Sequence, residues 1–204
     1  MAEISLLLWD VGGVLLTDGW DRAERASAVR HFQLDATEFE RRHALVKSDF
    51  ETDRLDWEGY LDATVFYTPR SFSREEFRDF MRAQSSPHPE AIAAARAVRA
   101  AHKYRLATLN DESRALNEYR IRTFGLAEIF DDFFTSCYTG RRKPDAAAYR
   151  GALDITQRVP AETLFLDDRE ENIRGAEAVG LRTLRVLDPA RLREDLAHAG
   201  VATG

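Results

Sequence analysis

Four short stretches of this 204-residue chain hold side chains suited to one kind of reaction. Asp10 precedes Gly12 and Gly13, Asn110 follows Leu109, Lys143 stands in Arg141-Arg142-Lys143-Pro144, and Asp167 adjoins Asp168. Three carboxylates brought together repel one another, and each is pushed toward its protonated form unless a cation intervenes. A hard divalent ion suits oxygen ligands, and Mg²⁺ takes one or two carboxylates together with water and phosphate oxygens. Lysine adds a compact point charge that holds a phosphate and restrains a nucleophilic carboxylate. Carboxylate, divalent cation and ammonium together describe phosphoryl transfer through an aspartyl phosphate.

Such residues act together only if the fold gathers them. Ile4 to Trp9 reads as a buried strand that ends at Asp10, where the two glycines supply the backbone freedom of a tight loop. Tyr104 to Leu109, Phe133 to Ser136, Thr163 to Leu166 and Leu181 to Leu187 read alike, and helical patterns fill 89–101, 113–124, 145–153 and 170–179. This alternation predicts an α/β fold with a parallel sheet. Ligands of such sheets bind outside the carboxyl ends of the strands. Asp10, Asn110, Asp167 and Asp168 all fall there, and Lys143 lies in the loop after a fourth strand. Residues 16–87 break the alternation with four amphipathic helices, over 20–32, 36–50, 57–67 and 73–84, the last opening on the capping box Ser73-x-x-Glu76. The expected division is a core of 1–15 and 88–204 and an inserted all-helical unit of 16–87, its aromatic residues packing a four-helix bundle.

These stretches make the chain similar to the haloacid dehalogenase-like hydrolase superfamily, in its phosphatase-type branch with a helical cap after the first strand. Trp9-Asp-Val-Gly-Gly-Val-Leu15, Leu109-Asn110, Arg142-Lys-Pro-Asp145 and Phe165-Leu-Asp-Asp-Arg-Glu-Glu-Asn-Ile173 carry the likeness, in the expected order and over almost the whole chain. The resemblance implies a Rossmann-like, three-layer core under the cap. It implies Asp10 as nucleophile and Lys143 as the partner of both phosphate and nucleophile. It further implies Mg²⁺ held by Asp10, Asp167, Asp168 and the backbone carbonyl of Gly12, a phosphate bound by Gly13, Leu109, Asn110 and Lys143, and support from Asn172. The implied substrate is a small phosphorylated metabolite of the sugar phosphate type.

Two positions depart from that pattern. Superfamily phosphatases carry a second aspartate two residues after the nucleophile, which protonates the leaving oxygen and then activates water; here that position is Gly12. Losing a positioned general acid–base costs ~10²–10⁴ in rate; a water, the substrate itself or a nearby side chain such as Asp18 or Glu112 stands as the substitute. The family's hydroxyl before Asn110 is replaced by Leu109; Thr108 points to the opposite face of a strand, and Ser113 reaches back only if it caps the next helix. Asp168-x-x-Glu171 also fits a helix capping box. Two other readings therefore stand beside the phosphatase: a degenerate relative that binds a phosphometabolite or a partner without turnover, and a 2-haloacid dehalogenase. The dehalogenases lack the second aspartate too, but they need no metal and do not keep an Asp-Asp pair.

Composition bounds the rest. A net charge of −6 disfavours sequence-independent nucleic-acid binding. The longest aliphatic stretch, Ile4 to Trp9, is far below the ~20 apolar residues of a membrane span and lacks the flanks of a signal peptide. One cysteine, Cys137, makes no intrachain disulfide and fits a reducing compartment, so the expected location is cytoplasmic, as monomer or homodimer. Of 29 cationic residues only Lys47, Lys103 and Lys143 are lysine, and of these Lys143 stands where an ammonium is called for.

Overall fold

A computed structural model describes residues 3–203. In chain order its elements are β1 (Leu6–Trp9), α1 (Arg22–His31), α2 (Ala36–Glu51), α3 (Trp57–Thr64), α4 (Arg74–Ala83), α5 (Pro89–Ala100), β2 (Arg105–Asn110), α6 (Arg114–Thr123), β3 (Asp132–Thr135), α7 (Ser136–Thr139), α8 (Ala146–Thr156), β4 (Thr163–Asp167), α9 (Glu170–Ala178), β5 (Arg182–Arg185) and α10 (Leu192–His198). The five strands form one sheet in the order β3-β2-β1-β4-β5, and every neighbouring pair is parallel. All four residues of β1 are buried, because helices cover both sheet faces and the strand needs no polar alternation.

The two faces have separate cores. Leu7 and Trp9 of β1 pack with Ala91, Ala94 and Val98 of α5 and with Leu192 and Leu196 of α10. Leu6 and Leu8 face the other way, onto Tyr149, Ala152 and Leu153 of α8 and Ile173 and Ala176 of α9. This gives the three-layer Rossmann-like α/β architecture. α1 to α4 lie between β1 and β2 in the chain and bury a third cluster around Trp20, Phe39, Phe50, Tyr60 and Phe77, which Leu116 of α6 joins. α4 opens on the expected capping box, with the Ser73 backbone N–H donating to Glu76 at 2.7 Å.

Several expectations shift by a residue or two. Asn110 and Asp167 are the last residues of their strands rather than the first of the following loops, and Ser136 begins the one-turn α7 instead of ending β3. The terminal α10 shows no pattern in sequence because only Leu192 and Leu196 anchor it.

Candidate active site

β1 is central: the chain runs from it outward through β2 to β3 and then crosses back to β4 on its other side, which opens a crevice at the carboxyl edge. Trp9 pairs with Leu166 of β4 and with Thr108 of β2, so Asp10 emerges beside Asp167 and close to Asn110. Lys143 reaches the same point from the loop before α8, held by its backbone N–H donating to Asp111 at 3.2 Å. That loop packs tightly on α9: a Cβ at Gly175 would lie 2.7 Å from the Pro144 carbonyl, so a bulkier residue there would push the lysine loop away.

The ammonium of Lys143 lies 2.9 Å from Asp10 Oδ2 and 2.6 Å from Asp167 Oδ2. Asp10 Oδ1 accepts the Val11 backbone N–H at 2.7 Å. Asp167 is fully buried and saturated: Asn172 Nδ2 donates to both of its oxygens at 3.0 Å, and the Arg169 backbone N–H donates to Oδ1 at 2.8 Å. Burial raises the Asp10 carboxyl well above the usual range; Lys143 pulls it back, and Asp167 and Asp168 push it up again. Burial and Asp167 raise Asp168 to about 6. Burial disfavours the charged form of Lys143, but the Asp10, Asp167 and Asp111 carboxylates outweigh it and keep the amine protonated.

A divalent cation fits these donors. Asp10, Asp167 and Asp168 are the one group of metal-ligating side chains among the described residues, with ligand oxygens within 4.8 Å of one another. Asp168 Oδ1 is buried with no hydrogen-bond partner, a state that costs stability until something satisfies it. The glycine at 13 makes room for this carboxylate: with φ at +72°, a Cβ there would lie 2.6 Å from Asp168 Cγ.

The remaining positions fall into place unequally. Asn110 lines the cavity, with Oδ1 accepting from Thr135 at 3.0 Å and Nδ2 donating to Asn117 at 3.3 Å, which leaves one amide hydrogen for a ligand. Leu109 does not line it: strand alternation turns the side chain into the core with Phe134 and Ala152, so any contact there comes from its backbone. The capping alternative for Asp168 fails, since Arg169 is the N-cap of α9 and no side chain caps it. Ser113 is the N-cap of α6, but its hydroxyl donates to Glu112 rather than toward Asp10. Glu112 is itself committed, buried against Arg120 at 3.4 Å. Asp18 lies beside Gly12, its Oδ1 3.6 Å from where a Cβ would stand, and is paired with Arg169 at 3.3 Å. His88 stands at the N-cap position of α5 with no side-chain capping bond and does not line the cavity, and burial pushes the Cys137 thiol up to about 12.

Above these residues lies a cavity of about 120 Å³ whose far wall is formed by Asp18, Trp20 and Asp21 and by one stripe of α2, His43, Lys47, Phe50 and Glu51. Arg–carboxylate contacts fasten this wall to the sheet: Arg169 to Asp21 at 2.7 Å, Arg142 to Glu51 at 2.7 Å and Arg114 to Asp53 at 2.7 Å. Arg120 also donates to the Thr17 carbonyl. Burial raises Glu51 to about 7 although Lys47 and Arg142 oppose it; the Arg142 contact is close but not aligned as a hydrogen bond. Sequence reading missed the α2 stripe. Its spacing of 43, 47, 50 and 51 is that of any helix face, and only the polar character of three of the four residues distinguishes it.

A parallel sheet that gathers three acids and a buried ammonium at its carboxyl edge defines an α/β protein whose site suits a divalent cation. The chain belongs to the haloacid dehalogenase-like hydrolase family, whose model matches residues 4–180. It is 41% identical over 61 residues to a sesquiterpene phosphatase of Aspergillus oryzae, covering 30% of this chain and 31% of that one. It is 31% identical over 131 residues to the bifunctional epoxide hydrolase 2 of Rattus norvegicus, covering 63% of this chain and 24% of that one. The chain thus spans a third or less of these curated relatives. In fold it is similar to a haloacid dehalogenase family enzyme of Bacteroides thetaiotaomicron, with a TM-score of 0.77 at 19% identity over 90% of this chain and 94% of the other. That enzyme has also been crystallised with magnesium and inorganic phosphate. Among the described residues no helix is long and apolar enough to cross a membrane.

Proposed function

We propose that the protein is a magnesium-dependent phosphomonoesterase for a small phosphorylated metabolite, working through an aspartyl phosphate at Asp10. The observation that carries this reading is the buried ammonium of Lys143 shared between Asp10 and Asp167, beside an Asp168 oxygen without a partner. The magnesium–phosphate complex of the Bacteroides enzyme, which shares the fold, supports it.

Asp10, Asp168 and the Gly12 carbonyl would hold Mg²⁺ directly, with Asp167, its oxygens already hydrogen-bonded, adding its charge behind them; the ion when bound neutralises charge on the transferring phosphoryl group. Asp10 attacks phosphorus, the bond to the leaving oxygen breaks, and that oxygen takes up a proton. Water then attacks the acyl phosphate, releasing inorganic phosphate and restoring the carboxylate. Lys143 orients Asp10 and faces the phosphoryl oxygens as charge builds on them. Asn172 holds Asp167 in place through two hydrogen bonds, and Asn110 offers its free amide hydrogen. With glycine at 12 no side chain there moves the proton, so turnover is slower than an aspartate would give. Residues 16–87 act as a cap that excludes water and selects the leaving group, over a core of 1–15 and 88–204.

The test is phosphate release from a panel of sugar phosphates, nucleotides and other small phosphomonoesters. Release with Mg²⁺ that disappears in EDTA and in Asp10→Asn is expected; full activity in EDTA refutes the proposal. The absence of side chains at Gly12 and of a hydroxyl at Leu109 favours the second reading, binding without turnover. Under it, beryllium fluoride would leave no adduct on Asp10 at saturating Mg²⁺. Chloride release from 2-chloropropionate would mark a dehalogenase instead.

A further inference from the structure

Three side chains of the helical segment form a buried relay that ends at the cavity. Trp20 Nε1 lies 2.7 Å from Tyr60 Oη, and Tyr60 Oη lies 2.9 Å from His43 Nδ1. Indole nitrogen only donates, so Tyr60 accepts from Trp20. The phenol then has one hydrogen left to place. Tyr60 is fully buried and burial raises its pKa, so the hydrogen stays on oxygen and needs an acceptor. His43 Nδ1 is the ring nitrogen within reach, which makes it the acceptor and puts the imidazole hydrogen on Nε2. Phe50 stacks on Tyr60 with centroids 4.1 Å apart and planes 16° from parallel, while the His43 ring stands at 86° to Tyr60. These contacts leave the relay little freedom to turn.

His43 is 4% exposed, and Nε2 has no partner among the described residues. Burial lowers the imidazole to about 4, further depressed by Arg25 and Lys47 and partly restored by Glu40 and Asp21. The ring is therefore neutral near pH 7 and carries a fixed donor that the protein leaves unused. A buried donor without an acceptor costs stability, and natural folds rarely leave one without a reason. His43 and Asp10 line the same cavity, so a molecule bound there is what can supply the acceptor.

We infer that His43 is a specificity-determining residue whose Nε2–H, set by Tyr60 and Trp20, bonds an oxygen of the leaving group of a phosphate ester. The inference rests on the phosphomonoesterase reading and sharpens it. The favoured substrates are esters of polyols or other oxygen-bearing alcohols, not of hydrocarbons. Tyr60 acts through His43 and is a positioning residue.

A matched pair of probes tests this: sn-glycerol 3-phosphate, and propyl phosphate, which is the same skeleton without the two hydroxyls. The ratio of kcat/KM for the two is expected to favour glycerol phosphate in the wild type and to fall about tenfold in His43→Phe. Tyr60→Phe, remote from the ester, is expected to lower the same ratio by releasing the tautomer. A ratio equal in wild type and both variants overturns the proposal. Nitrogen-15 NMR of the wild-type protein reads the tautomer without turnover, and a hydrogen on Nδ1 overturns it as well. If neither ester releases phosphate, the phosphatase reading is decided by the wider panel and not by this pair. Binding of the two esters to Asp10→Asn then decides the matter: tighter binding of glycerol phosphate that is lost on adding His43→Phe supports the assignment, and equal binding refutes it.

Discussion

Replacing Lys143 with methionine keeps length and much of the volume but removes the charge that Asp10 and Asp167 share. At 2.9 and 2.6 Å the two attractions each amount to about 6 kcal/mol at an effective dielectric near 20. The desolvation of three buried ions offsets most of that, so the net worth of the cluster is small. Removing one member is different, because it strands two carboxylates with no counter-charge and costs ~3–5 kcal/mol. For a chain of this size that lowers the melting temperature by roughly 6–20 °C. The deficit should be largest at pH 8 in EDTA and shrink as the pH falls, since protonating either carboxyl removes the stranded charge. Added Mg²⁺ should recover part of it. Phosphate release should drop ~10²–10³-fold, the usual effect of deleting a preorganised charge at a transition state. Lys143→Arg should also impair release at least about tenfold, because a planar fork does not reproduce one ammonium between two carboxylates; the exposed Lys103→Arg serves as the control. A Lys143→Met protein that melts with the wild type at pH 8 in EDTA and turns over within a factor of about three would refute the electrostatic account.

Other outcomes follow from the same geometry. The folded-state pKa of His43, about 4, lies below the ordinary 6.5. The unfolded chain therefore takes up the proton first, and the stability is complete above 6.5 and lost as the pH falls through 4. By linkage about 2 kcal/mol is gone at pH 5 relative to pH 7.5, so wild-type melts should fall more steeply over that interval than those of His43→Gln. Asp168, raised to about 6, must be ionised to ligate a metal; Mg²⁺ affinity by calorimetry should therefore weaken below pH 6, and Asp168→Asn should weaken it at every pH. A Cβ at Gly12 meets Asp18 at no less than 3.4 Å, an ordinary contact. Gly12→Asp should therefore fold and raise phosphate release, by up to ~10²–10⁴ if proton transfer limits the rate, and an unchanged kcat would locate the slow step elsewhere.

What could be read in the sequence divides along the sheet. Buried parallel strands show as apolar runs, and their carboxyl ends are marked by Asp10, Asn110 and Asp167, so a parallel sheet with these residues along one edge was legible in the sequence, whereas the spatial order of the strands was not. Nor were the distances. That Asp167 is saturated by Lys143, Asn172 and a backbone N–H, while Asp168 keeps an open oxygen, depends on how α9 leaves β4, and two adjacent aspartates look equivalent in a string of letters. Leu109 shows the same limit: the family pattern places it at the phosphate, and strand alternation buries its side chain. The α2 stripe was illegible for a different reason. Helical periodicity identifies which residues share a face but not what that face meets, and His43 gains meaning only through Trp20 and Tyr60, 23 and 17 positions away.

This division also governs what relatives can teach about the substrate. The residues proposed for the chemistry leave from β1, β2, β4 and the loop before α8, whereas the opposing wall of the cavity comes from α2 and residues 18–21. Exchanging side chains on α2 alters what the leaving group meets without moving Asp10 or Lys143, so one reaction can be kept while substrates change. The sesquiterpene phosphatase matches this chain over only 61 residues, too few to carry both walls. Here the α2 wall presents His43, Lys47 and Glu51. Lys47 and Glu51 keep each other and Arg142 as partners, but a hydrocarbon pressed against this wall would leave the His43 Nε2–H without an acceptor, at ~1–3 kcal/mol. That cost weighs against a terpenoid ester however close the sequence match, and it applies before any binding contact is counted. The overall charge of −6 has no bearing on the choice, because the field inside so small a cavity is set by the groups within a few ångströms of the ester.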